Sequence, residues 1–189
     1  AVRRILDVRA LRQAQFPEDA GPMAHPIRPE SYREIDNFYT VTVYEKGAEV
    51  IRMLQTILGK DGFKKGLTNY LARFDGQAVT CDDFLTAFTE ACGVDLTQFA
   101  LWYSQAGTPR VRVRTVFDPL AKTCTIYASQ TTSPTPGQSE KKPFVIPITI
   151  GLIDNAGKDL PLCLAGETEP TGTSRTLILA KESDQWVFT

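Results

Sequence analysis

The chain has 189 residues, of which 42% are hydrophobic and 23% charged, a composition typical of a folded globular protein and unlike that of a disordered or collagen-like chain. With 21 Lys and Arg against 22 Asp and Glu, it lacks the positive field on which non-specific nucleic-acid binding depends, so we expect no nucleic-acid partner. No apolar run reaches the ~18 residues of a membrane helix, so we also expect no membrane partner.

Histidine and cysteine are too few and too scattered to predict a metal centre. The single histidine, His25, leaves no two-histidine site and no Ser-His-Asp arrangement, since no GxSxG motif accompanies it. The four cysteines form no CxxC pair, which favours free thiols in a reducing compartment and hence a cytoplasmic location. The sequence starts at Ala1 without Met and stops within a predicted strand at Thr189, so we expect it to be a piece of a longer protein.

Residues 1–107 follow a helical period that one proline-rich stretch interrupts. Residues 16–29 contain four prolines, so we expect a packed loop there that is neither a helix nor a central strand. Thr42 and Glu45 have the spacing of a capping box, which predicts a helix that begins at Thr42 and ends at Gly59. Apolar residues at helical spacing predict three more helices over 63–76, 80–93 and 96–107.

After Pro109 the period changes from 3.6 to 2, which predicts β-strands. Alternating apolar residues indicate strands over 111–117, 124–128 and 144–152, with shorter ones at 160–164, 177–179 and 186–188. The segment 131–143, rich in Ser, Thr and Pro, is predicted to be the least structured part of the chain. We therefore predict an α+β chain with a helical domain over residues 1–107 and a small antiparallel β-sandwich over residues 108–189.

Two groups of residues could form a site by their chemistry, and each has a simpler structural interpretation. The row Arg110, Arg112 and Arg114 could bind an anion, but such a row is more often the solvated face of an outer strand. His25, between two prolines, could be a ligand or a base, but a lone histidine is more often a hydrogen-bonding structural residue.

Tyr44 would lie in the first turn of the helix predicted to begin at Thr42. The backbone dipole and the free amides of a first turn favour negative charge, and a phenol there could donate a hydrogen bond to an oxyanion. The commoner role of such a tyrosine is to pack in the core against the next helix. The residues alone leave both interpretations open.

The segment NFYTVTVYEKGAEVIRM, residues 37–53, resembles the aminopeptidase N family of zinc metallopeptidases, the gluzincins. Segments 18–29 (EDAGPMAHPIRP), 80–84 (TCDDF) and 102–109 (WYSQAGTP) agree with the bacterial branch of that family and follow in the same order. The resemblance continues into the predicted strands and covers nearly the whole chain.

The resemblance implies an exopeptidase that removes single residues from peptides with a free N-terminus. In this family a zinc ion, held by HExxH and a downstream glutamate, polarises the scissile carbonyl and activates water. By position, the resemblance implies that Tyr44 donates to the oxyanion of the tetrahedral intermediate and that Tyr39 lines the pocket for the first substrate side chain. It also implies the helical C-terminal part of a gluzincin catalytic domain, followed by the β-sandwich domain.

The chain departs from the family pattern at the metal centre. It contains no HExxH, no zinc-ligand glutamate and no GxMEN segment, which in the family lie upstream of the residues matched here. We therefore expect no zinc in this chain alone and an inert fragment whose partners are the remaining domains of a zinc-binding parent. The alternative is a naturally short, non-enzymatic module whose β-sandwich binds a protein partner.

Overall fold

The computed structural model describes residues 2–189, which divide into two compact units. Unit 1 consists of the residues up to 109 together with 132–144, and unit 2 consists of 110–131 and 145–189. The first division therefore lies at Pro109, close to the predicted position, but the segment 132–144 belongs to the helical unit. None of the helices within residues 2–189 combines the length and apolar character needed to cross a membrane.

Unit 1 begins with a continuous helical stretch made of α1 (Val2–Ala10), a π-helical turn (Leu11–Gln15) and α2 (Phe16–Ala20). The prediction that residues 16–29 contain no helix is therefore wrong for the first five of them. Pro17 lies in the first turn of α2, directly after the π-helical turn, where its missing N–H costs no regular α-helical hydrogen bond.

The rest of the helical structure is a 3₁₀ turn, a second π-helical turn and three helices: Ile35–Phe38, Thr42–Lys46, α3 (Gly47–Phe74), α4 (Cys81–Cys92) and α5 (Leu101–Ser104). Helices α3 and α4 pack through aromatic rings: fully buried Phe88 of α4 lies 5.2 Å from Phe63 of α3, and Phe84 of α4 lies 5.1 Å from Tyr70 of α3, measured between ring centroids. Gly66 permits this approach, because a Cβ at that position would lie 2.2 Å from the Phe88 ring.

The predicted limits of α4 are confirmed, whereas those of its neighbours differ. Thr80 and Asp83 form a reciprocal capping box, and Gly93 ends the helix in the left-handed region at φ 66°. Gly59, with φ 71° and ψ 171°, interrupts the helical backbone where the first helix was predicted to end, so α3 consists of two helical segments that meet at a kink. The helix predicted over 96–107 is confined to α5, although Leu96 is buried as that pattern requires.

The capping box predicted at Thr42 does not form. Val41 precedes the turn and is already helical, and the hydroxyl of Thr40, not that of Thr42, accepts the Val43 N–H at 3.2 Å. The Thr42 hydroxyl bonds instead to side chains of the N-terminal helical stretch, far away in the sequence. Local spacing alone cannot reveal such tertiary partners.

Unit 2, which the structure describes in full, holds seven strands: β1 (Arg110–Asp118), β2 (Thr123–Thr131), β3 (Ile146–Ile150), β4 (Leu152–Ile153), β5 (Asp159–Leu160), β6 (Arg175–Leu179) and β7 (Ser183–Phe188). They pair antiparallel as β1-β2-β7, β3-β6 and β4-β5. The buried core between them contains Ile126, Leu162, Leu177 and Phe188. Helices together with antiparallel sheets confirm the predicted α+β class.

Strand β1 lies at the edge of its sheet, and all nine of its residues are exposed. The arginine row therefore forms the solvated face of an outer strand, where the Arg114 guanidinium lies 4.2 Å from the centroid of the Tyr127 ring. The opposite, apolar face of β1 is also open, with Val113 53% and Phe117 67% exposed.

The segment 132–144 lacks regular helix or longer strand, but it is tied to unit 1 by hydrogen bonds. Gln138 accepts the Ala106 N–H at 2.8 Å and donates to the Ser104 carbonyl at 2.8 Å. At the end of the segment, Phe144 is fully buried and stacks on Trp102 with ring centroids 4.0 Å apart. The lack of regular secondary structure agrees with the expectation from its composition, but hydrogen bonds to residues distant in the sequence tie the segment to unit 1.

Candidate functional site

Tyr44 lies in the middle of the π-helical turn Thr42–Lys46 and is 58% exposed. Its ring stacks on that of Tyr39, which is 60% exposed, at a centroid distance of 6.3 Å and an interplanar angle of 27°. Phe38 and Tyr32 continue the row through edge contacts at 6.0 and 6.1 Å. The two tyrosines predicted as site residues therefore lie side by side on one open surface, and Tyr44 is not a core residue.

Glu18, near the end of α2, holds the N-terminal end of this turn. Its Oε1 atom accepts the Thr42 hydroxyl at 2.5 Å and the Thr42 N–H at 3.1 Å. Gln15 donates to the same hydroxyl at 3.3 Å. Thr42 is fully buried and Gln15 is 1% exposed, whereas the Glu18 side chain is 26% exposed, so the bonds to Glu18 are partly buried.

Asp19, the residue after Glu18, holds the C-terminal end of the turn. Its Oδ2 atom accepts Lys46 Nζ at 2.7 Å and the Thr108 hydroxyl at 2.8 Å, while Oδ1 accepts the Gly107 N–H at 2.8 Å. Lys46 also donates to the Gly107 carbonyl at 3.1 Å. The side chains of Asp19 and Lys46 are 0% and 7% exposed, so this is a buried ion pair with its polar atoms satisfied.

The pKa values of both groups in this ion pair lie below their usual values, for different reasons. For Asp19, burial acts to raise the pKa, but the charge of Lys46 and the hydrogen bonds from Lys46, Thr108 and Gly107 outweigh it and hold the pKa below its usual value. For Lys46, burial lowers the pKa and the attraction of Asp19 only partly opposes it. Both pKa values are thus lowered, which favours the charged form of Asp19 and disfavours that of Lys46, because Asp19 receives three donors whereas Lys46 has one charged partner. Asp19 is therefore a carboxylate at neutral pH.

His25 takes part in this region as a hydrogen-bonding residue. Its Nδ1 atom lies 2.7 Å from the Pro26 carbonyl, which can only accept, so Nδ1 carries the proton. Among the described residues, its buried Nε2 atom has no hydrogen-bond partner and lies 3.7 Å from Glu18 Oε1. This geometry agrees with the structural interpretation of His25 and makes no metal site.

The residues present do not fit a zinc ion. Across residues 2–189, no three side chains of His, Cys, Asp or Glu come together as metal ligands. The carboxylates that hold the turn of Tyr44, those of Glu18 and Asp19, are already occupied by the donors described above. What the arrangement offers chemically is a phenol on an open surface, carried by a turn that is anchored at both ends.

Comparison with known proteins identifies the family. Residues 4–103, more than half of the chain, match the sequence model described as the peptidase family M1 domain. The chain belongs to peptidase family M1. Residues 107–189 match a second model, described as a domain of unknown function (DUF3458) with an Ig-like fold. The resemblance drawn from residues 37–53 is thereby confirmed.

Two bacterial aminopeptidases are similar to this chain over most of its length. It is 54% identical to aminopeptidase N of Escherichia coli (strain K12) over 166 residues, which cover 88% of this chain and 19% of that protein. It is 52% identical to aminopeptidase N of Haemophilus influenzae over 167 residues, again 88% of this chain and 19% of that protein. The chain thus spans about a fifth of the length of these curated relatives.

A solved structure is similar to most of this chain. The crystal structure of Legionella pneumophila aminopeptidase A in complex with aspartic acid matches with a TM-score of 0.71 and 25% sequence identity. The match covers 89% of this chain and 18% of that chain. The helical part and the sheet part of this M1 chain are therefore both found in a known aminopeptidase.

Sequence reasoning found the tyrosines but missed the residues that hold their turn. Glu18 and Asp19 lie in segment 18–29, which carries part of the resemblance, but no spacing links them to Thr42 and Lys46, some two dozen residues downstream. No local pattern marks Lys46 as buried, so the sequence carried no signal that pointed to these two carboxylates.

Proposed function

We propose that this chain is part of a zinc aminopeptidase that removes single residues from the free N-terminus of peptides. The support is its membership of peptidase family M1 and its identity of 52% and 54% to two bacterial proteins named aminopeptidase N. Within the parent protein, meaning the longer chain of which these residues form a part, we propose units 1 and 2 as parts of two successive domains. The parent's remaining domains and peptide substrates are then its partners.

In this proposal Tyr44 donates a hydrogen bond to the oxyanion that forms when the scissile carbonyl becomes tetrahedral. The observation that carries it is the contrast within one turn: Tyr44 is 58% exposed, whereas Thr42 and Lys46, two residues to either side, are 0% and 6% exposed. Because the turn is held at both ends, the Tyr44 hydroxyl has a fixed position, and oxyanion stabilisation requires such a preorganised hydrogen-bond donor. Tyr39, stacked beside it, would line the pocket for the first substrate side chain.

Zinc belongs to the proposal for the parent and not for the residues described here. A bound zinc ion would supply Lewis-acid polarisation of the substrate carbonyl. Since no ligand set exists within residues 2–189, we propose that the parent holds zinc through residues outside this segment. A cytoplasmic location is likewise proposed, from four cysteines that are all free thiols.

The test compares the parent protein with the 189-residue chain on alanyl and leucyl p-nitroanilides. The parent should release p-nitroaniline, should leave the N-acetylated analogues intact, and should lose activity on chelation and regain it with zinc. The 189-residue chain alone should neither hydrolyse these substrates nor hold stoichiometric zinc. Turnover by the chain with tightly bound zinc, or a parent inactive on every free-amino substrate, would overturn the proposal, and the second result would favour the protein-interaction module.

A further inference from the structure

We propose that the adjacent carboxylates Glu18 and Asp19 are positioning residues, which hold the two ends of the π-helical turn Thr42–Lys46 and thereby fix the Tyr44 hydroxyl. This inference rests on the proposed function, in which Tyr44 donates to the oxyanion. The four residues Glu18, Asp19, Thr42 and Lys46 are called the carboxylate clamp below.

The clamp is arranged symmetrically about Tyr44. Thr42 lies two residues before it and donates both its N–H and its hydroxyl to Glu18. Lys46 lies two residues after it and donates its ammonium to Asp19. Because Glu18 and Asp19 are neighbours on the short helix α2, a single element binds both ends of the turn. Tyr44, in the middle of the turn, stays on the surface.

The turn needs this support because of its backbone. A π-helical turn is rare, and where one occurs it is frequently at a functional site. Relaxation to ordinary α-helical hydrogen bonds would rotate the residues of the turn about the helix axis and carry the Tyr44 ring away from Tyr39. Donors to an oxyanion act over about 2.7–3.1 Å, and a misplacement of about 1 Å can cost about 10² in rate.

Stability alone does not account for such a clamp. A buried ion pair loses the hydration of both charges, and apolar residues of similar volume often stabilise a fold equally well. Glu18 uses one oxygen for two donors of the same residue, which fixes the direction of Thr42 as well as its distance. The buried ion pair and the double hydrogen bond from Thr42 therefore indicate that these contacts fix the position of the turn.

The experiment uses the parent protein with a matched pair of substitutions at Thr42. Thr42→Val keeps the shape of the side chain and removes the hydroxyl, whereas Thr42→Ser keeps the hydroxyl and loses one methyl group. We expect Thr42→Val to lower kcat by about tenfold to 10²-fold with KM nearly unchanged. Thr42→Ser should stay within about threefold of wild type. Equal kcat for the two variants would overturn the inference.

A double-mutant cycle with Tyr44→Phe separates positioning from general damage. If the clamp acts through the Tyr44 hydroxyl, Thr42→Val should cause no further loss of kcat once that hydroxyl is gone. A merely structural effect would lower the folded fraction, and so the activity, by the same factor in both backgrounds. Multiplying losses would therefore overturn the clamp while leaving the role of Tyr44 intact, whereas an unimpaired Tyr44→Phe variant would overturn the role itself.

The other end of the clamp is tested in the same cycle with Lys46→Met, which keeps the length of the side chain and removes its charge. We expect Lys46→Met to lower kcat by the same factor as Thr42→Val. In a protein that already carries Tyr44→Phe, it should cause no further loss of kcat. This change leaves Asp19 as a buried charge that retains only its Gly107 and Thr108 donors. Should that variant fail to fold, the Thr42 pair decides the inference by itself.

Discussion

Replacing Tyr44 by phenylalanine in the parent protein removes one oxygen atom from the candidate site and nothing else. The side chain is 58% exposed, and its ring contact with Tyr39 does not involve the hydroxyl. Surface changes away from special features usually alter the free energy of unfolding by no more than about 0.5 kcal/mol. We therefore expect the folding stability and the zinc content of Tyr44→Phe to match those of wild type.

The expected effect on catalysis is far larger. Loss of one preorganised oxyanion donor typically costs about 10²–10³ in kcat, or about 2.7–4 kcal/mol of transition-state stabilisation. Because the contact forms only as negative charge develops on the substrate oxygen, kcat and kcat/KM should fall together while KM changes little. Separating an effect on kcat from an effect on KM requires full saturation curves, not a single substrate concentration.

The assay is steady-state hydrolysis of an alanyl p-nitroanilide, with the free energy of unfolding measured by urea titration on the same preparations. Tyr32→Phe is the matched control, since Tyr32 is also a surface tyrosine at 55% exposure in the same aromatic row. A kcat for Tyr44→Phe within about threefold of wild type would refute the reasoning. Equal losses of kcat in Tyr44→Phe and Tyr32→Phe would refute it as well. They would show that removing any hydroxyl from this aromatic row has the same effect.

Two further predictions concern stability. Gly66→Ala should lower the free energy of unfolding by about 1–3 kcal/mol, because the new Cβ would lie 2.2 Å from the fully buried Phe88 ring. Gly47→Ala is the control, since its new Cβ would contact no other atom and its φ is already helical. It should be neutral or slightly stabilising in the same urea titration. The pKa of Asp19 is held below its usual value in the folded state, so its ionised form contributes stability above about pH 4, the unfolded pKa, and that stability should be lost as the pH falls further. Urea titrations across pH 2–7 should therefore show the stability gap between wild type and Asp19→Asn closing below about pH 4, and a gap that stays constant would contradict the assignment.

The local sequence determined several elements of this protein without help from the fold. The capping box from Thr80 to Asp83 satisfies its hydrogen bonds within four residues, and the left-handed Gly93 ends the same helix, so both could be predicted from local chemistry. The change from helical to alternating periodicity located the start of β1 within a few residues, because each periodicity reflects the geometry of its own backbone. Segment 37–53 was long enough to identify the family and, by position, to select Tyr44 and Tyr39.

Only the tertiary structure decided what surrounds Tyr44. The Thr42 hydroxyl had an apparent local role as a helix cap, but it donates instead to the half-buried carboxylate of Glu18, 24 positions away. Lys46 looks like an ordinary surface lysine until Asp19, which is 27 positions away, becomes its partner in the interior. In both cases the strongest partner of a polar group is the one that burial brings close and shields from water, and burial is a property of the whole fold that no local pattern contains.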